Sequence, residues 1–537
     1  MSRVPINRSQ GRSIVVSTRG IVASEHPLAS QAGATVLAQG GHAVDAAIAA
    51  NAVMGVVCPM MCGVGGDLFA IVCESGGKLH GVNASGWAPA ALTPEVLEAR
   101  GVTSMPQSGA HSVTVPGAVA GWALLAERFG RVPLARVLEP AIAVAQEGFP
   151  VAEITSQEWG KQEAFLRGDP EAARTFLPDA QPLGIGEIFR NRDLAWTYRQ
   201  IAERGREGYY EGEVARRLVA GLKRRGATMA AADLAKFRAE WVAPISTTYR
   251  GWEIFEIPPN GAGIAALMML NIMEAFPVAA AGHNSADALH MMIEAKKLAY
   301  ADMHRHVADP RFAAAPIAAM LSKEYARERA ALIDPAIAMA RADAGALPVH
   351  AGDTVYLSVA DRDGNMVSLI QSNFASFGSG VLAEGTGFPL QNRGALFTLD
   401  RGHPNVLAPH KRPLHTIIPA FMTHGDTRIA FGIMGGWNQS QAHAQFVSNF
   451  VDHGMNVQAA LESARFTKLS FDGRDVSIEG RIDPGVLRAL AARGHELDVP
   501  GDCCSLMGGG QAVMRRAGVN YGASDPRKDG AAVPETY

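Results

Sequence analysis

The bond between Asp353 and Thr354 in this 537-residue chain has the surroundings of a self-cleavage site that creates an N-terminal nucleophile. A β-rich run from Thr354 to Ala360 is followed by a polar turn around Gly364 and a second apolar run, a pattern typical of a β-hairpin. Small residues precede Thr354, so cleavage there would leave an N-terminal threonine at the start of a rigid strand. A threonine at this point is also simply a good strand former, and spacing alone does not separate the two interpretations.

The chemistry of such a threonine explains why cleavage would matter. A threonine hydroxyl is a weak nucleophile until a base accepts its proton, and a freed α-amino group on the same residue serves as that base. An α-amino group has an unperturbed pKa of about 7.7 to 8.0, so a usable fraction is unprotonated near neutral pH. Before cleavage the same nitrogen is an amide. Self-cleavage would therefore be activation, and no cofactor is needed because Thr354 supplies both nucleophile and base.

The composition is that of an ordinary globular chain, with 48% hydrophobic and 19% charged residues. The net charge of −3, without a basic stripe, argues against nucleic acid as a partner. The longest apolar stretch, residues 46–62, is too short for a membrane span, and no secretory signal precedes it. Five cysteines do not describe a disulfide framework. We expect a cytoplasmic protein whose partner is a small-molecule amide.

Three groups of residues invite a metal or phosphate interpretation, and each has a simpler one. Cys58 and Cys62 have loose metal-ligand spacing, but no further pair follows them, which favours buried structural cysteines. His290 and His304 would share a helix face about 21 Å apart at 1.5 Å per residue. The loop Gly63–Gly66 precedes its strand, whereas a dinucleotide fingerprint follows one, so we predict a tight turn packed against another backbone. We expect no metal.

Helical patterns dominate before Thr354, and strands dominate from there to about residue 431. Residues 113–122 are predicted to join a strand to a helix, and residues 245–258 to form a strand or hairpin. Residues 344–352 are the one convincing internal linker. This distribution, without βα alternation, favours an α+β fold or a layered αββα arrangement. The predicted helices cover residues 27–39, 43–57, 133–147, 191–204, 212–225, 261–275, 285–307, 439–454 and 457–463.

A series of different short motifs, each occurring once, is spread over most of the chain. They include Gly40-Gly41-His42-Ala43-Val44-Asp45-Ala46, Gly63-Val64-Gly65-Gly66-Asp67, Val115-Pro116-Gly117, Pro258-Pro259-Asn260-Gly261, Lys411-Arg412-Pro413, Met434-Gly435-Gly436 and Tyr521-Gly522-Ala523-Ser524-Asp525-Pro526-Arg527. Together they resemble the γ-glutamyltranspeptidase family of N-terminal nucleophile hydrolases. The resemblance implies a four-layer αββα sandwich made as a precursor. That precursor cuts itself into a large subunit, residues 1–353, and a small catalytic subunit, residues 354–537, which stay together as one unit.

The resemblance also assigns the catalytic residues. The family's nucleophile corresponds to Thr354, and Ser372 falls where the family has a threonine that contacts the nucleophile. The backbone N–H groups of Gly435 and Gly436 correspond to the pair that holds the oxyanion. Losing one such donor typically costs about 100- to 1,000-fold in rate. The catalytic machinery of the family is therefore intact in this sequence.

The residues that bind a γ-glutamyl group are not intact. The family has an arginine where this chain has Ser85, and an asparagine and an aspartate where it has Phe374 and Leu396. Removing one partner of a buried charge pair costs about 2 to 5 kcal/mol, so the loss of both charged partners predicts γ-glutamyl binding weaker by several powers of ten.

Other residues stand in their place. Arg393 replaces a glutamine near the acyl site, where its guanidinium would pair with a substrate carboxylate, although a purely structural ion pair is equally open. His415-Thr416 replaces a Ser-Ser pair, and Phe374 would form an apolar wall. Residues 397–410 are shorter than the family's lid-loop region, which favours water over an amino-acid acceptor.

The sequence thus predicts an autoprocessed amidohydrolase whose substrate is a small, carboxylate-bearing amide, either oxamate-like or of the acylase type. One alternative is a genuine γ-glutamyl hydrolase or transferase acting on glutathione-type substrates. A second alternative is an unprocessed, non-catalytic binding homologue, against which the retained Thr354, Ser372 and glycine pair count. A homo-oligomer built from several copies of the two-subunit unit is a further alternative.

Overall fold

The computed structural model describes residues 4–7, 10–343 and 353–536, so the predicted linker at 344–352 lies outside the described residues. In chain order the strands are β1 (Val15–Ser17), β2 (Ile21–Ser24), β3 (Asp67–Cys73), β4 (Leu79–Ala84), β5 (Phe149–Pro150), β6 (Ile188–Phe189), β7 (Glu240–Val242), β8 (Ile245–Tyr249), β9 (Trp252–Glu256), β10 (Asp353–Ala360), β11 (Met366–Phe374), β12 (Ala420–His424), β13 (Thr427–Ile433), β14 (Phe466–Thr467), β15 (Asp475–Ile478), β16 (Glu496–Asp498), β17 (Gly510–Arg516), β18 (Val519–Ser524) and β19 (Ala531–Pro534).

The helices of the described residues follow the same order. They are α1 (Pro27–Ala38), α2 (Ala43–Val57), α3 (Pro94–Glu98), α4 (Ala118–Phe129), α5 (Leu134–Glu147), α6 (Glu153–Gly160), α7 (Glu163–Leu166), α8 (Pro170–Phe176), α9 (Arg192–Tyr210), α10 (Glu213–Arg224), α11 (Ala231–Lys236), α12 (Gly263–Met273), α13 (Val278–Ala281), α14 (Ala286–His306), α15 (Ile317–Met320), α16 (Lys323–Ala330), α17 (Gln439–Val451), α18 (Val457–Glu462) and α19 (Pro484–Ala492). Short 3₁₀ turns cover Ala110–Ser112, Pro178–Ala180, Arg393–Leu396, Gly436–Asn438 and Ser505–Met507.

Two seven-stranded sheets form the centre of the molecule. Sheet A has the strand order β1-β18-β17-β13-β12-β9-β8, and sheet B has the order β19-β2-β10-β11-β3-β4-β7. Neighbouring strands in both sheets are antiparallel. Each sheet contains strands from before and after Thr354, so the two predicted subunits share both sheets.

The apolar core lies in three layers that follow from these sheets. Between the sheets, Phe69, Tyr356 and Phe421 are fully buried. The outer face of sheet B packs against α2, α4, α5 and α9, and the outer face of sheet A packs against α12, α14 and α17. Helix, sheet, sheet and helix layers stack in this order, which confirms the predicted αββα sandwich.

Helix α2 supports the middle of sheet B. His42 caps its first turn by accepting a hydrogen bond from the Val44 N–H (3.1 Å), while Asp45 accepts one from the His42 N–H (2.8 Å). All of its residues are buried, because its alanine-rich surface lets it pack closely against β10 and β11. The predicted helices near 133–147, 191–204, 212–225, 261–275, 285–307, 439–454 and 457–463 are likewise confirmed, with ends that differ by a few residues.

The strand predicted before α4 is wrong, because residues 113–117 form an irregular connection. Its backbone donors go to two different loops: the Val115 N–H bonds the Trp87 carbonyl (3.0 Å) and the Gly117 N–H bonds the Gly66 carbonyl (2.9 Å). Pro116 lies between them and has no N–H to give. A regular strand ladder therefore cannot form here.

The glycine loop before β3 is the tight turn that the sequence predicted. A Cβ on Gly65 would lie 2.1 Å from the Pro389 carbonyl oxygen, and one on Gly66 would lie 2.5 Å from that of Ser372. Only glycine permits such close backbone contact. The loop is thereby held against the end of β11. No helix among the described residues is long and apolar enough to cross a lipid bilayer.

Candidate active site

Thr354 lies at the start of β10, in the middle of sheet B. The hairpin of β10 and β11 is confirmed, and its register shifts between Asp353 and Val355. Such a bulge re-aims one side chain out of the regular alternation. Thr354 is fully buried, its Oγ1 donates a hydrogen bond to Ser372 Oγ (3.1 Å), and the side-chain amide of Gln439 lies 3.5 Å from the same oxygen.

Ser372 connects Thr354 to Phe374. It lies at the end of β11, directly opposite Asp67 at the start of β3. Its Oγ accepts a hydrogen bond from the Phe374 N–H (2.8 Å) as well as the one from Thr354. Because antiparallel neighbours place a strand start beside a strand end, Thr354, Ser372 and Asp67 lie at the same end of three adjacent strands of sheet B.

The glycine pair follows β13 on the facing sheet. Gly435 and Gly436 have φ values of +123° and +58°, so both occupy conformations that favour glycine. Strand β13 packs closely over β10, since a Cβ on Gly432 would lie 2.5 Å from the ring of Tyr356. Among the described residues, the N–H groups of Gly435 and Gly436 have no hydrogen-bond acceptor. This turn lies three residues before Gln439, which approaches Thr354, so its two unpartnered donors stay candidates for the predicted oxyanion site.

Arg393 is a fully buried cation beside this centre. Its Nη1 donates to Thr416 Oγ1 (2.6 Å), and its guanidinium lies over the ring of Phe374 at 4.6 Å. Its Nε and Nη2 have no hydrogen-bond partner within the described part of the chain. Burial lowers the pKa of Arg393 to about 9, and nearby Asp67 opposes this shift. The group is thus a cation at neutral pH with two donors to offer to a ligand.

Asp67 and His415 form a buried pair next to Arg393. The Ile417 N–H donates to His415 Nδ1 (3.3 Å), which leaves the Nε2–H to donate to Asp67 Oδ2 (3.0 Å). Burial, with Arg393 as a further cause, lowers the pKa of His415 well below 6.5, so the ring is neutral. Burial also raises the pKa of Asp67 to about 7, although Arg393 and the Gly86 amide favour its ionised form. Asp67 therefore changes charge near neutral pH.

Ser85 lies behind this pair rather than beside Arg393. Its hydroxyl donates to Asn83 Oδ1 (2.7 Å) and accepts from Asn260 Nδ2 (3.1 Å), and the residue is fully buried. The next residue, Gly86, donates its backbone N–H to Asp67, so Ser85 is connected to the site through Gly86.

A cavity of about 760 Å³ opens beside Phe374 and Trp437. Phe374, which bonds Ser372, and Trp437, which follows the glycine pair, both line it. Phe374 has a φ of +78°, which turns its ring between Arg393 and the cavity. The remaining walls combine the apolar side chains of Val102, Met105, Ala395, Leu396, Phe397 and Leu399 with the polar side chains of Glu98, Thr103, Ser104, Gln107, Thr398 and Asp400.

The structure also brings together His290, Glu294 and His495, whose possible ligand atoms lie within 4.8 Å of one another. The two imidazoles share a hydrogen bond of 2.8 Å, and Glu294 accepts bonds from the Lys297 ammonium (2.7 Å) and the Met339 N–H (3.0 Å). Since the carboxylate is already paired with a cation and an amide, we interpret the cluster as part of the core and assign it no ion.

Most predicted site residues form one chain of contacts. Thr354, Ser372, Phe374, Arg393 and Thr416 are linked in that order, and the other predicted residues lie alongside: His415, Gly435, Gly436 and, one layer away, Ser85. Their roles stay predictions. Two buried residues were missed. Asp67 had a detectable signal, an acidic residue opening an apolar strand, whereas nothing in the sequence distinguishes Gln439 from its neighbours.

A four-layer αββα sandwich with a threonine at the start of a central strand defines an N-terminal nucleophile hydrolase. A family model described as Gamma-glutamyltranspeptidase matches residues 29–535, and the chain belongs to that family. Family membership makes it an enzyme that acts on C–N amide bonds.

Similar proteins span the whole chain. A glutathione hydrolase-like YwrD proenzyme from Bacillus subtilis is 38% identical over 97% of this chain and 99% of the relative. An oxamate amidohydrolase proenzyme from Klebsiella pneumoniae is 34% identical over 96% and 98%. The crystal structure of a cephalosporin acylase from Bacillus halodurans superposes with a TM-score of 0.93 at 40% identity, covering 100% of this chain and 99% of that one.

Proposed function

We propose that this chain is an autoprocessed amidohydrolase with Thr354 as nucleophile, and that it hydrolyses amides whose short acyl group carries a carboxylate. The observation that carries the proposal is Arg393: a fully buried guanidinium with two unpartnered nitrogens, joined through Phe374 to Ser372, which touches Thr354. A buried cation requires an anion, and a planar fork of donors matches a carboxylate.

In the processing step, Thr354 Oγ1 attacks the carbonyl carbon of Asp353. The C–N bond breaks, the nitrogen takes up the hydroxyl proton, and an ester joins the two residues. Water then hydrolyses the ester, which leaves a carboxylate on Asp353 and a free amine and hydroxyl on Thr354. The strand start is suited to this step because the bulge in β10 turns Thr354 toward Ser372.

In turnover, the freed α-amino group accepts the Oγ1 proton as the oxygen attacks the substrate carbonyl. The N–H groups of Gly435 and Gly436 hold the resulting oxyanion, and the amine leaves with the proton. A water molecule then releases the acid from the Thr354 ester and restores the hydroxyl. Two relatives, the oxamate amidohydrolase and the cephalosporin acylase, support hydrolysis of this kind.

The enclosure of the acyl side favours a short acyl group. Arg393 is 0% exposed and lies against Phe374, whose amide is bonded to Ser372, so little chain separates the reacting carbon from the guanidinium. The leaving amine would instead occupy the cavity of about 760 Å³, between Phe374 and Trp437. Its aromatic and aliphatic side chains favour an amine with an apolar body, and Glu98, Gln107 and Asp400 offer polar contacts to such an amine.

A γ-glutamyl hydrolase is the second candidate, because a glutathione hydrolase proenzyme from Escherichia coli is 31% identical over 96% of this chain. Against it stand Ser85, Phe374 and Leu396, which replace the polar and charged residues that the family uses for the γ-glutamyl group. Both candidates use Thr354, so only the acyl group separates them.

The first test is the intact mass, under denaturing conditions, of the wild type and of Thr354→Ala. We expect two wild-type fragments, the smaller beginning at Thr354, and one uncut variant chain. An uncut wild-type chain would instead support the binding homologue.

The second test compares three anilides with the same leaving amine: a glutaryl, an uncharged butyryl and a γ-glutamyl anilide, with oxamate as a further amide. We expect the glutaryl anilide and oxamate to be turned over and the uncharged butyryl anilide to be poor. The γ-glutamyl group carries a carboxylate together with an ammonium group, and we expect its anilide to be poor as well because Phe374 and Leu396 offer that ammonium no partner. Normal turnover of the γ-glutamyl anilide would reverse the order of the two candidates. The cytoplasmic location and the homo-oligomer stay predictions that these assays do not address.

A further inference from the structure

Gln439 presents its side-chain amide to the oxygen of the proposed nucleophile. Its Nε2 lies 3.5 Å from Thr354 Oγ1, and the residue is fully buried. Gln439 begins α17, directly after the turn that holds Gly435 and Gly436. We propose that Gln439 is a further catalytic residue, which donates a hydrogen bond to Thr354 Oγ1 during both self-cleavage and turnover. The inference rests on Thr354 being the nucleophile.

The orientation of the amide is fixed by its second contact. The Ile418 N–H donates to Gln439 Oε1 (3.1 Å), so the carbonyl end of the amide must face Ile418 and the NH₂ end must face Thr354. Flipping the amide would oppose two donors at Ile418. The nitrogen of Gln439 is therefore a donor toward Thr354 by necessity.

The hydrogen bonds of the Thr354 hydroxyl complement this donor. Its one hydrogen points to Ser372 Oγ, which leaves two lone pairs on Oγ1. One lone pair accepts from Gln439, and the other is free to attack a carbonyl carbon. As the hydroxyl loses its proton, negative charge grows on Oγ1, and a hydrogen bond to a charged oxygen is stronger than one to a neutral oxygen.

The same oxygen is the leaving group later in the cycle. When water hydrolyses either ester, the bond from the carbonyl carbon to Thr354 Oγ1 breaks, and the electron pair returns to that oxygen. A donor at Oγ1 stabilises it in this step too.

The position of Gln439 is fixed by the bonds of neighbouring residues. Ser440 Oγ donates to the Ala262 carbonyl (3.0 Å), and the Tyr300 hydroxyl donates to the Trp437 carbonyl (2.5 Å).

Gln441 provides a matched control. It lies two residues further along α17, is equally buried, and donates to the Trp437 carbonyl (3.2 Å) and to Thr467 Oγ1 (3.2 Å). Within the described residues it makes no hydrogen bond to Thr354. Changes at Gln441 thus disturb the helix and its packing as much, but leave the nucleophile's contacts in place.

The experiment measures the autocleavage rate and the kcat and KM of the processed enzyme for Gln439→Met, Gln439→Glu, Gln441→Met and Gln441→Glu. We expect both Gln439 variants to lose about 10- to 100-fold in autocleavage rate and kcat with KM changed less than about threefold, and both Gln441 variants to stay within about threefold of wild type. The activity of Gln439→Glu relative to Gln439→Met should rise as the pH falls, because a protonated carboxyl again donates to Oγ1.

Wild-type processing and turnover in both Gln439 variants would overturn the inference. Thr354→Ala in the same series separates its failure from that of the proposed function: if that variant is itself cleaved or active, the proposed nucleophile is wrong. Should neither Gln439 variant fold, Gln439→Asn carries the test, since it keeps the amide and withdraws it by one methylene. Unchanged turnover there would also overturn the inference.

Discussion

The two halves of the site differ in how far they follow the family. On the proposed nucleophile side, Thr354, Ser372 and the glycine pair stand where the family's motifs place its catalytic groups, and Thr354 and Ser372 are hydrogen-bonded. On the proposed acyl side, which contains Arg393 and the neutral His415, the chain lacks the residues that the resemblance predicts for binding a γ-glutamyl group.

The difference shows which part of such a fold is free to change. The nucleophile side depends on backbone geometry, a bulge and two glycine conformations, which a single side-chain change cannot rebuild. The proposed acyl side depends on side chains that project from a 3₁₀ turn and a loop, where a substitution can change the ligand without any change in the strands. Substrate choice can therefore diverge while the reaction stays the same.

Removing the nucleophile would break the first half completely. Thr354→Ala should abolish self-cleavage and lower turnover by at least about 10,000-fold, because both the hydroxyl and its α-amino base are lost. Thr354→Ser is the control that keeps the hydroxyl, and it should still process. Fragment masses and initial rates measure both effects, and residual turnover in the alanine variant would exclude Thr354.

Removing the guanidinium would break the second half alone. Arg393→Met should lower kcat/KM for the glutaryl anilide by about 100- to 1,000-fold, since it removes the partner of a buried carboxylate. Self-cleavage and turnover of the butyryl anilide should change little. Arg393→Lys keeps the charge but loses the planar fork over Phe374, and we expect an intermediate value. Equal losses on both anilides would mean that Arg393 only supports the fold.

A smaller effect is expected where the two halves meet. Ser372→Ala removes the acceptor of the Thr354 hydroxyl and should lower kcat by about 20-fold. Ser372→Thr keeps the hydroxyl, as the family does, and should stay near wild type. Progress curves with the glutaryl anilide provide the values. If the alanine variant matches wild type, the 3.1 Å bond has no catalytic role.

The smallest expected effect is a pH dependence of the acyl side. The pKa of Asp67 is raised from 3.8 to about 7 by burial, so the carboxyl ionises as the pH rises through about 7 and places a negative charge beside Arg393. KM for the glutaryl anilide should be constant below about pH 6 and rise about three- to tenfold by pH 8. KM for the butyryl anilide should not rise. Asp67→Asn should remove the dependence, and its persistence there would assign it to another group.

The same shift bears on stability with a defined sign. Because the folded protein keeps the Asp67 proton up to about pH 7 and the unfolded chain loses it near 3.8, this residue's contribution is full below about pH 4. It is lost as the pH rises through about 7. Asp67→Asn should flatten that part of the unfolding free energy measured against pH.

Much of this architecture was predictable from sequence patterns. An alanine-rich run between a glycine pair and Pro59 predicted the α2 helix. Two β-rich runs around a polar turn predicted the β10–β11 hairpin. The strand predicted at residues 113–117 was wrong, because the residue types favour a strand while the N–H groups bond two separate loops.

The candidate site was predictable only where a motif or a changed motif pointed to it. Thr354 and the glycine pair fall in recognisable motifs, and Arg393 stood out as a substitution. Gln439 did not, because its role depends on a contact across the two sheets that no local pattern records. The partners of Ser85 are similarly distant, so its enclosure by Asn83 and Asn260 had to come from the folded chain.

The shared sheets have a consequence for the lifetime of the processed enzyme. Strands from both sides of Thr354 alternate, with β10 and β11 held between β2 and β3, so neither fragment can leave without dismantling both sheets. Once the bond before Thr354 is cut, refolding requires two separate chains to find each other, whereas unfolding remains a first-order event. We therefore expect heat denaturation to be irreversible for the processed enzyme and more readily reversible for the uncut Thr354→Ala chain.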